Sequence, residues 1–197
     1  DVIVNFGKMS GKVKISYGAN EDNWWQFTQD AKLQNLHRDV NSKYIRVWLS
    51  AQYYKPSTFP LQRDGTYNYS AVDSYIGAVL ESDAIPFVVF AHYTVCGHDS
   101  EDYSAPFDFS SCEGHGVPPL HNDNEFANYI ADVVQHLKDG CDKNKYSKPC
   151  DINNWYFEIW NEPYGEEWWN TKPPRYSVMF NIVYERIKAI APNAKVG

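Results

Sequence analysis

The segment WYFEIWNEP, residues 155–163, is typical of a β-strand that ends in polar residues. Side chains of a strand point alternately to its two faces. One face is then apolar and the other carries a charge, the two sets being Trp155, Phe157 and Ile159 against Tyr156, Glu158 and Trp160. Pro163 lacks a backbone donor and ends the strand directly after Asn161 and Glu162. The segment therefore predicts a strand with one face toward helices and the other toward a polar interior.

Strand-like and helix-like segments alternate along the rest of the chain, which favours an α/β fold. Strands are predicted over residues 13–18, 44–49, 85–93 and 155–162, the closing AKVG begins a fifth strand, and residues 1–12 are predicted as an additional N-terminal strand. The predicted helices are residues 22–40, Val72 to Leu80 with Ser70 as N-cap, Phe126 to Leu137 ended by Gly140 in the C′ position, and Met179 to Ile190 before Pro192.

These four to five βα units occupy residues 1–197 as one partial domain. A closed barrel needs eight such units, usually in about 250 residues. The sequence therefore predicts the N-terminal half of a (β/α)8 TIM barrel. The alternative is a shorter open sheet, as in doubly wound folds or an unrelated binding protein. Its phosphate-binding glycine motif is missing, because SYGANEDNWW after the first strand does not match GxGxxG.

Two charged side chains lie on the polar faces of predicted strands. The stretch YIRVWL, residues 44–49, carries Arg46, and Glu158 has the corresponding place in the fourth strand. Buried charges must be paired to be tolerated. We therefore expect Arg46 and Glu158 to face a common polar interior.

Composition excludes some functional classes. The net charge is −7 and the pI is about 5.3, without the clustered Lys and Arg that nucleic acid or an anionic membrane surface requires. No run of about 18 apolar residues is present, so membrane insertion is not expected. Fifteen Tyr and seven Trp are unusual for this length; such aromatics occur in sugar-stacking sites, but they are also ordinary core residues.

The four cysteines lie in pairs within predicted loops, Cys96 with Cys112 and Cys141 with Cys150. This arrangement predicts two local disulfides and an extracellular, secreted protein, although four free thiols in a cytosolic protein are the alternative. The triplet Asn68-Tyr69-Ser70 is a glycosylation sequon, which matters only in a secreted protein.

The order of these motifs resembles clan A glycoside hydrolases, the retaining glycosidases with (β/α)8 barrels. Within the clan it is most similar to family thirty-nine, which includes β-xylosidases and α-L-iduronidases. The resemblance rests on WYFEIWNEP ending the fourth strand, on YIRVWL in the second, on FAHY ending the third and on APNAKVG entering the fifth. Of these, only the fourth-strand motif is strongly specific.

The resemblance implies a role for individual residues. Glu162 would be the general acid/base, Asn161 would bind the sugar 2-hydroxyl, and Arg46 would orient the nucleophilic carboxylate from beneath. Further substrate-binding residues are expected from the strand ends and the fourth loop, namely Trp48, His92, Tyr93, Tyr164, Trp168 and Trp169. Core packing is the alternative role for His92 and Trp48, and at most one of the adjacent Trp168 and Trp169 is expected to stack on a sugar.

A retaining glycosidase also needs a nucleophilic carboxylate, which this clan places after the seventh strand. The sequence reaches only the fifth, so the nucleophile is expected outside it. The expected partners are a carbohydrate substrate and the remaining half of the barrel or a second chain. The alternative is a non-catalytic carbohydrate-binding or structural protein built on part of such a barrel.

The long loop after the third strand, residues 94–121, contains cysteines and histidines. Their spacing fits no common structural zinc site. We therefore predict a Cys96–Cys112 disulfide there, no metal and no cofactor, and expect the loop to overhang the same face as Glu162.

Overall fold

The computed structural model describes residues 17–21, 24–49, 60–61, 65–90, 123–160 and 173–197. Five parallel strands form one sheet in the order β1-β2-β3-β4-β5. The strands are β1 (Tyr17–Glu21), β2 (Ser42–Trp48), β3 (Ile85–Phe90), β4 (Tyr156–Ile159) and β5 (Lys195–Val196). The helices are α1 (Trp24–Gln29), α2 (Ala31–Asp39), α3 (Ser70–Glu81), α4 (Asp123–Asp142) and α5 (Pro173–Ile190), and Ile152–Asn154 forms a short 3-10 turn before β4.

This strand order distinguishes between the two predicted architectures. Strands that are consecutive in sequence are neighbours throughout the described sheet. A doubly wound sheet reverses its order at a switch point, and none is present between β1 and β5. The predicted fold class, a half of a (β/α)8 barrel, is confirmed.

The two faces of the sheet differ as the sequence predicts. The face toward the helices is fully buried and includes Ile45, Val47, Leu49, Val88, Phe90, Phe157 and Ile159. The opposite face presents the half-buried Tyr44, Arg46, Trp48, Phe87, Tyr156 and Glu158, together with the buried Val89. Burial of apolar side chains is favourable, and it thus fixes which face of each strand packs against the helices. The other face remains available for polar and charged side chains.

The helix predicted over residues 22–40 is two helices. Asp30 lies between α1 and α2 with φ −106° and ψ 95°, and its carboxylate accepts a hydrogen bond from the Lys32 N–H at 2.8 Å. Aspartate is among the best N-cap residues because its side chain satisfies a free N–H of the first turn. The apolar periodicity continues across this cap, and for that reason the prediction missed the break.

The predicted N-cap of α3 is wrong by one residue. Ser70 is the first helical residue and Tyr69 is the N-cap. The Ser70 N–H instead donates to Asn68 Oδ1 at 3.1 Å, so the asparagine two residues upstream satisfies the helix end. Asn68, the sequon residue, is exposed.

Gly140 does not end α4, contrary to the prediction. The helix continues to Asp142, and Gly140 is buried within its last turns. A Cβ atom at this position would lie 2.8 Å from Tyr146 Cε2. The Tyr146 hydroxyl in turn donates to Asp73 Oδ1 at 3.1 Å, which holds the ring in place. Close packing against the following loop, rather than a helix stop, therefore explains the glycine.

This contact predicts opposite effects for two helical Gly→Ala changes in the whole protein. Gly140→Ala should lower the free energy of unfolding by about 1–3 kcal/mol, because the new methyl group would overlap the Tyr146 ring, which its hydrogen bond to Asp73 holds in place. Gly77→Ala in α3, where no described atom outside the local helix backbone lies within 4 Å of the added Cβ, should stabilise by about 0.5–1 kcal/mol through helix propensity. Calorimetric melting of the two variants tests this, and an equal rise in melting temperature for both would contradict it.

A disulfide closes the segment after α4. Cys141 and Cys150 are bonded, with their Cα atoms 5.2 Å apart. Within that segment Lys145 contacts Asp73 Oδ2 at 2.5 Å, and His136 of α4 contacts Asp73 Oδ1 at 2.8 Å. Burial raises the pKa of Asp73, but the hydrogen bonds from His136 and Lys145 outweigh it and lower the pKa overall. Asp73, in the first turn of α3, thus links this helix to α4 and to the disulfide segment.

Candidate active site

The strand register defines levels on the half-buried face. Arg46 of β2 is level with Phe87 of β3, and one level nearer the C-terminal edge Trp48 is level with Val89. Val89 is in turn level with Glu158 of β4. In barrels of this kind the chemistry takes place beyond the C-terminal edge of the strands. Trp48 and Glu158 therefore lie in the level that approaches that edge.

Arg46 and Glu158 form a two-fold ion pair across β3. Arg46 Nε donates to Glu158 Oε2 at 2.7 Å, and a terminal guanidinium nitrogen donates to Oε1 at 2.7 Å. The two side chains are 21% and 25% exposed. The prediction that these residues face a common interior is confirmed, and the bidentate geometry is the strongest form of such a pair.

Trp48 contacts the same guanidinium. The Arg46 Cζ atom lies 4.4 Å from the centre of the Trp48 ring, within the range of a cation–π contact. Two of the predicted substrate-binding residues thus meet on one face of β2. Trp48 is half-buried at this level, and its two predicted roles, sugar contact and barrel filling, stay predictions.

Trp160 departs from the predicted alternation. Its ring packs edge-on against Phe126 of α4 at 5.9 Å between centres, so it joins the core under the helices instead of the polar face. Its φ is 74°, a left-handed conformation that is rare for a bulky residue. The Trp160 N–H still donates to the Phe90 carbonyl at 3.0 Å. The chain therefore turns sharply one residue before Asn161.

Tyr176 is a neighbour of the site that the sequence analysis missed. Its hydroxyl donates to the Ile159 carbonyl at 2.9 Å, which ties α5 to the end of β4. Burial raises the pKa of Tyr176, and the negative charge of Glu158 raises it further. A single tyrosine on an amphipathic helix has the same pattern as a core residue, so no sequence signal pointed to it.

A cavity of about 700 Å³ lies at the opposite, N-terminal edge of the sheet. Its lining includes Tyr44, Ile85, Tyr156 and Lys195, each at or near the start of its strand. Since this edge of a parallel barrel serves stability rather than chemistry, the cavity is not a candidate for the predicted active site.

Most predicted site residues lie outside the described part of the chain and stay predictions. They are Asn161, Glu162, His92, Tyr93, Tyr164, Trp168, Trp169, Cys96 and Cys112, together with segments 1–12 and 94–121. Within the residues that the structure does describe, no three His, Cys, Asp or Glu side chains are grouped as a metal site would require. In the same described ranges, no helix has the length and apolarity to cross a membrane.

Comparison with known proteins finds β-xylosidases and a glucosidase among the relatives of this chain. No protein-family model matches the chain. A β-xylosidase of Geobacillus stearothermophilus is 24% identical over 132 residues, which cover 66% of this chain and 24% of that protein. Among solved structures, a GH39 enzyme from Xanthomonas axonopodis pv. citri superposes with a TM-score of 0.60 at 20% identity, covering 92% of this chain and 34% of its own.

Two further structures have the same fold. A monomeric β-xylosidase from Caulobacter crescentus CB15 has a TM-score of 0.59 at 17% identity, and the match covers 92% of this chain and 35% of that one. A glucosidase from Croceicoccus marinus has a TM-score of 0.57 at 15% identity, over 84% of this chain and 32% of its own. The chain thus spans about a third of the length of these structures. The resemblance read from the sequence is confirmed as a fold: the chain is built like a part of the GH39 β-xylosidase barrel.

Proposed function

We propose that the chain is part of a retaining glycoside hydrolase in which Glu162 is the general acid/base. The observation that carries the proposal is the position of WYFEIWNEP, which leaves β4 at the C-terminal edge of a parallel sheet. Catalytic groups of (β/α)8 enzymes come from the ends of strands at this edge. The β-xylosidases and the glucosidase among the structural relatives support the same reaction class.

The reaction explains why an acid belongs at residue 162. A sugar is a poor leaving group as an anion, so a protonated carboxyl must donate to the glycosidic oxygen as the bond breaks. The same group, once ionised, then removes a proton from the water that releases the second product. Asn161 would hydrogen-bond the sugar 2-hydroxyl, a contact that strengthens in the oxocarbenium-like transition state.

The second carboxylate is proposed to come from a part of the barrel that these residues do not include. A retaining pair needs carboxyl groups about 5–5.5 Å apart. Glu158 lies within β4, whereas the catalytic groups of such barrels come from the C-terminal ends of the strands. It is also bound to Arg46 through both oxygens. Glu158 is therefore unsuited to be the nucleophile.

The remaining barrel units, on the same chain or a second one, are proposed to complete this half. β1 and β5 form the two edges of the described sheet. Three large apolar side chains of the described residues are more than half exposed: Leu36 on α2, Val40 at the C-cap of α2 and Val178 on α5. Burying such side chains and edges against further βα units is favourable.

We propose a β-linked xylose-containing oligosaccharide or polysaccharide as the first substrate to test, because relatives in both comparisons are β-xylosidases. An extracellular location is proposed as well. The Cys141–Cys150 disulfide supports it, since such bonds persist chiefly in oxidising compartments.

The test is to follow by proton NMR which anomer of xylose is released when the whole protein hydrolyses para-nitrophenyl β-D-xyloside. Release of β-xylose first, followed by slow mutarotation to the equilibrium mixture, is expected from a double displacement. Initial release of α-xylose would contradict the retaining mechanism. Saturable calorimetric binding of xylo-oligosaccharides without any turnover would instead favour the non-catalytic carbohydrate-binding alternative.

A further inference from the structure

The guanidinium of Arg46 is fixed in three ways by described residues. Two hydrogen bonds of 2.7 Å to Glu158 set its rotation within its own plane. The Trp48 ring, 4.4 Å from Cζ, limits tilting of that plane. An arginine side chain held in this way loses conformational entropy. Such an arrangement therefore needs a compensating contribution to stability or a functional role.

The location of the pair argues for a role beyond holding strands together. β2 and β4 are already joined through β3 by continuous ladders, Tyr44 to Trp48 against Ile85 to Val89 and Phe87 to Phe90 against Tyr156 to Ile159. Between the two charges β3 presents only Phe87 and Val89 to this face. A half-buried ion pair adds little stability compared with apolar residues of similar size.

We propose that Glu158 is a positioning residue for the glycosidase reaction, which acts by fixing the orientation of Arg46 beneath the catalytic carboxylates. This inference rests on the proposed function. With Glu158 in place, a carboxylate that approaches Arg46 meets one orientation of the guanidinium. Without it, the two hydrogen bonds that set the rotation of the guanidinium are lost, and the carboxylate that Arg46 orients loses its alignment with the sugar.

A double-mutant cycle in the whole protein tests the inference, with Glu158→Gln, Arg46→Met and the combination of the two. Glu158→Gln should lower kcat for para-nitrophenyl β-D-xyloside by about 10- to 100-fold with KM nearly unchanged, because alignment in the transition state is lost. Glu158→Asp, which keeps the charge on a shorter side chain, should recover part of kcat. In the Arg46→Met background Glu158→Gln should lower kcat no further, since Glu158 acts through Arg46.

Melting temperatures separate positioning from folding. Each single change removes one charge of the ion pair and keeps the other half-buried, which should lower the melting temperature, whereas the double variant carries neither charge and should regain it. A positioning role predicts that kcat stays low in this restabilised double variant. Glu185→Gln on the exposed side of α5 is the matched control and should change neither quantity.

Three outcomes would overturn the inference. One is a Glu158→Gln variant within threefold of the wild-type kcat. Another is a double variant that regains kcat together with its melting temperature, which would make the pair purely structural. Either result leaves the proposed function standing if the wild type hydrolyses the xyloside. Absence of wild-type turnover would instead refute the proposed function, and the inference with it.

Discussion

Replacing Glu162 with Gln should lower kcat for xylo-oligosaccharides by about 10²- to 10⁴-fold, the usual contribution of general acid–base catalysis. Glutamine has nearly the same shape but can neither protonate the leaving oxygen nor later activate water. The loss is measured by product release in the whole protein. Glu185→Gln is the matched control, because it makes the same chemical change on the exposed side of α5. Near-normal turnover of the Glu162 variant would remove the residue from its proposed role.

The leaving group sharpens this test. A dinitrophenyl xyloside needs little protonation, so a Glu162→Ala variant should still form the glycosyl-enzyme but hydrolyse it slowly. We expect a burst of dinitrophenol followed by a slow steady state. Azide needs no general base and should restore the steady-state rate, with a glycosyl azide as product. Equal slowing of good and poor leaving groups, without rescue by azide, would contradict the assignment.

Trp160→Ala should lower the free energy of unfolding by about 3–5 kcal/mol, because it empties a buried aromatic site against Phe126. It should also lower kcat by about 10²-fold, the usual cost of misplacing a catalytic group by about 1 Å. The reason is that Trp160 fixes the direction in which the chain leaves β4, two residues before Glu162. Calorimetric melting and xyloside turnover of the whole protein measure both effects.

Comparison of Ala with Gly isolates the backbone contribution at this position. The left-handed φ of 74° costs an L-residue about 1–2 kcal/mol but glycine almost nothing, so Trp160→Gly should be more stable than Trp160→Ala. Phe157, fully buried in the regular part of β4, is the matched control, and there Ala should be the more stable substitution. If Ala were the more stable substitution at both positions, Trp160 would carry no backbone strain.

Periodicity in the sequence predicts the features that depend on burial of one face. The order of βα units, the core faces of β2 and β4 and the meeting of Arg46 with Glu158 all follow from which side chains avoid water and which charges need partners. These are properties of residues within one element or of two elements with the same pattern. They can be read without knowing how the chain folds back on itself.

Features that depend on a tertiary contact or a single torsion could not be read in this way. The sequence around Gly140 matches the pattern of a helix C-terminus. Only its close contact with the Tyr146 ring, from the loop that follows α4, shows that the glycine is needed for packing. The alternating pattern of β4 continues through Trp160, while its actual φ reverses the side-chain direction. Asp30 separates α1 from α2, although the spacing of apolar residues continues across it without a break.

The Asp73 link has a practical meaning for protein engineering. Lys145, His136 and Tyr146 all contact this one carboxylate, and the neighbouring segment is closed by Cys141–Cys150. A single carboxylate in the first turn of α3 thus holds α4 and the disulfide segment together. Engineered libraries on this scaffold should therefore leave Asp73 and its three partners unchanged, because a substitution there would remove contacts shared by two helices and the disulfide segment.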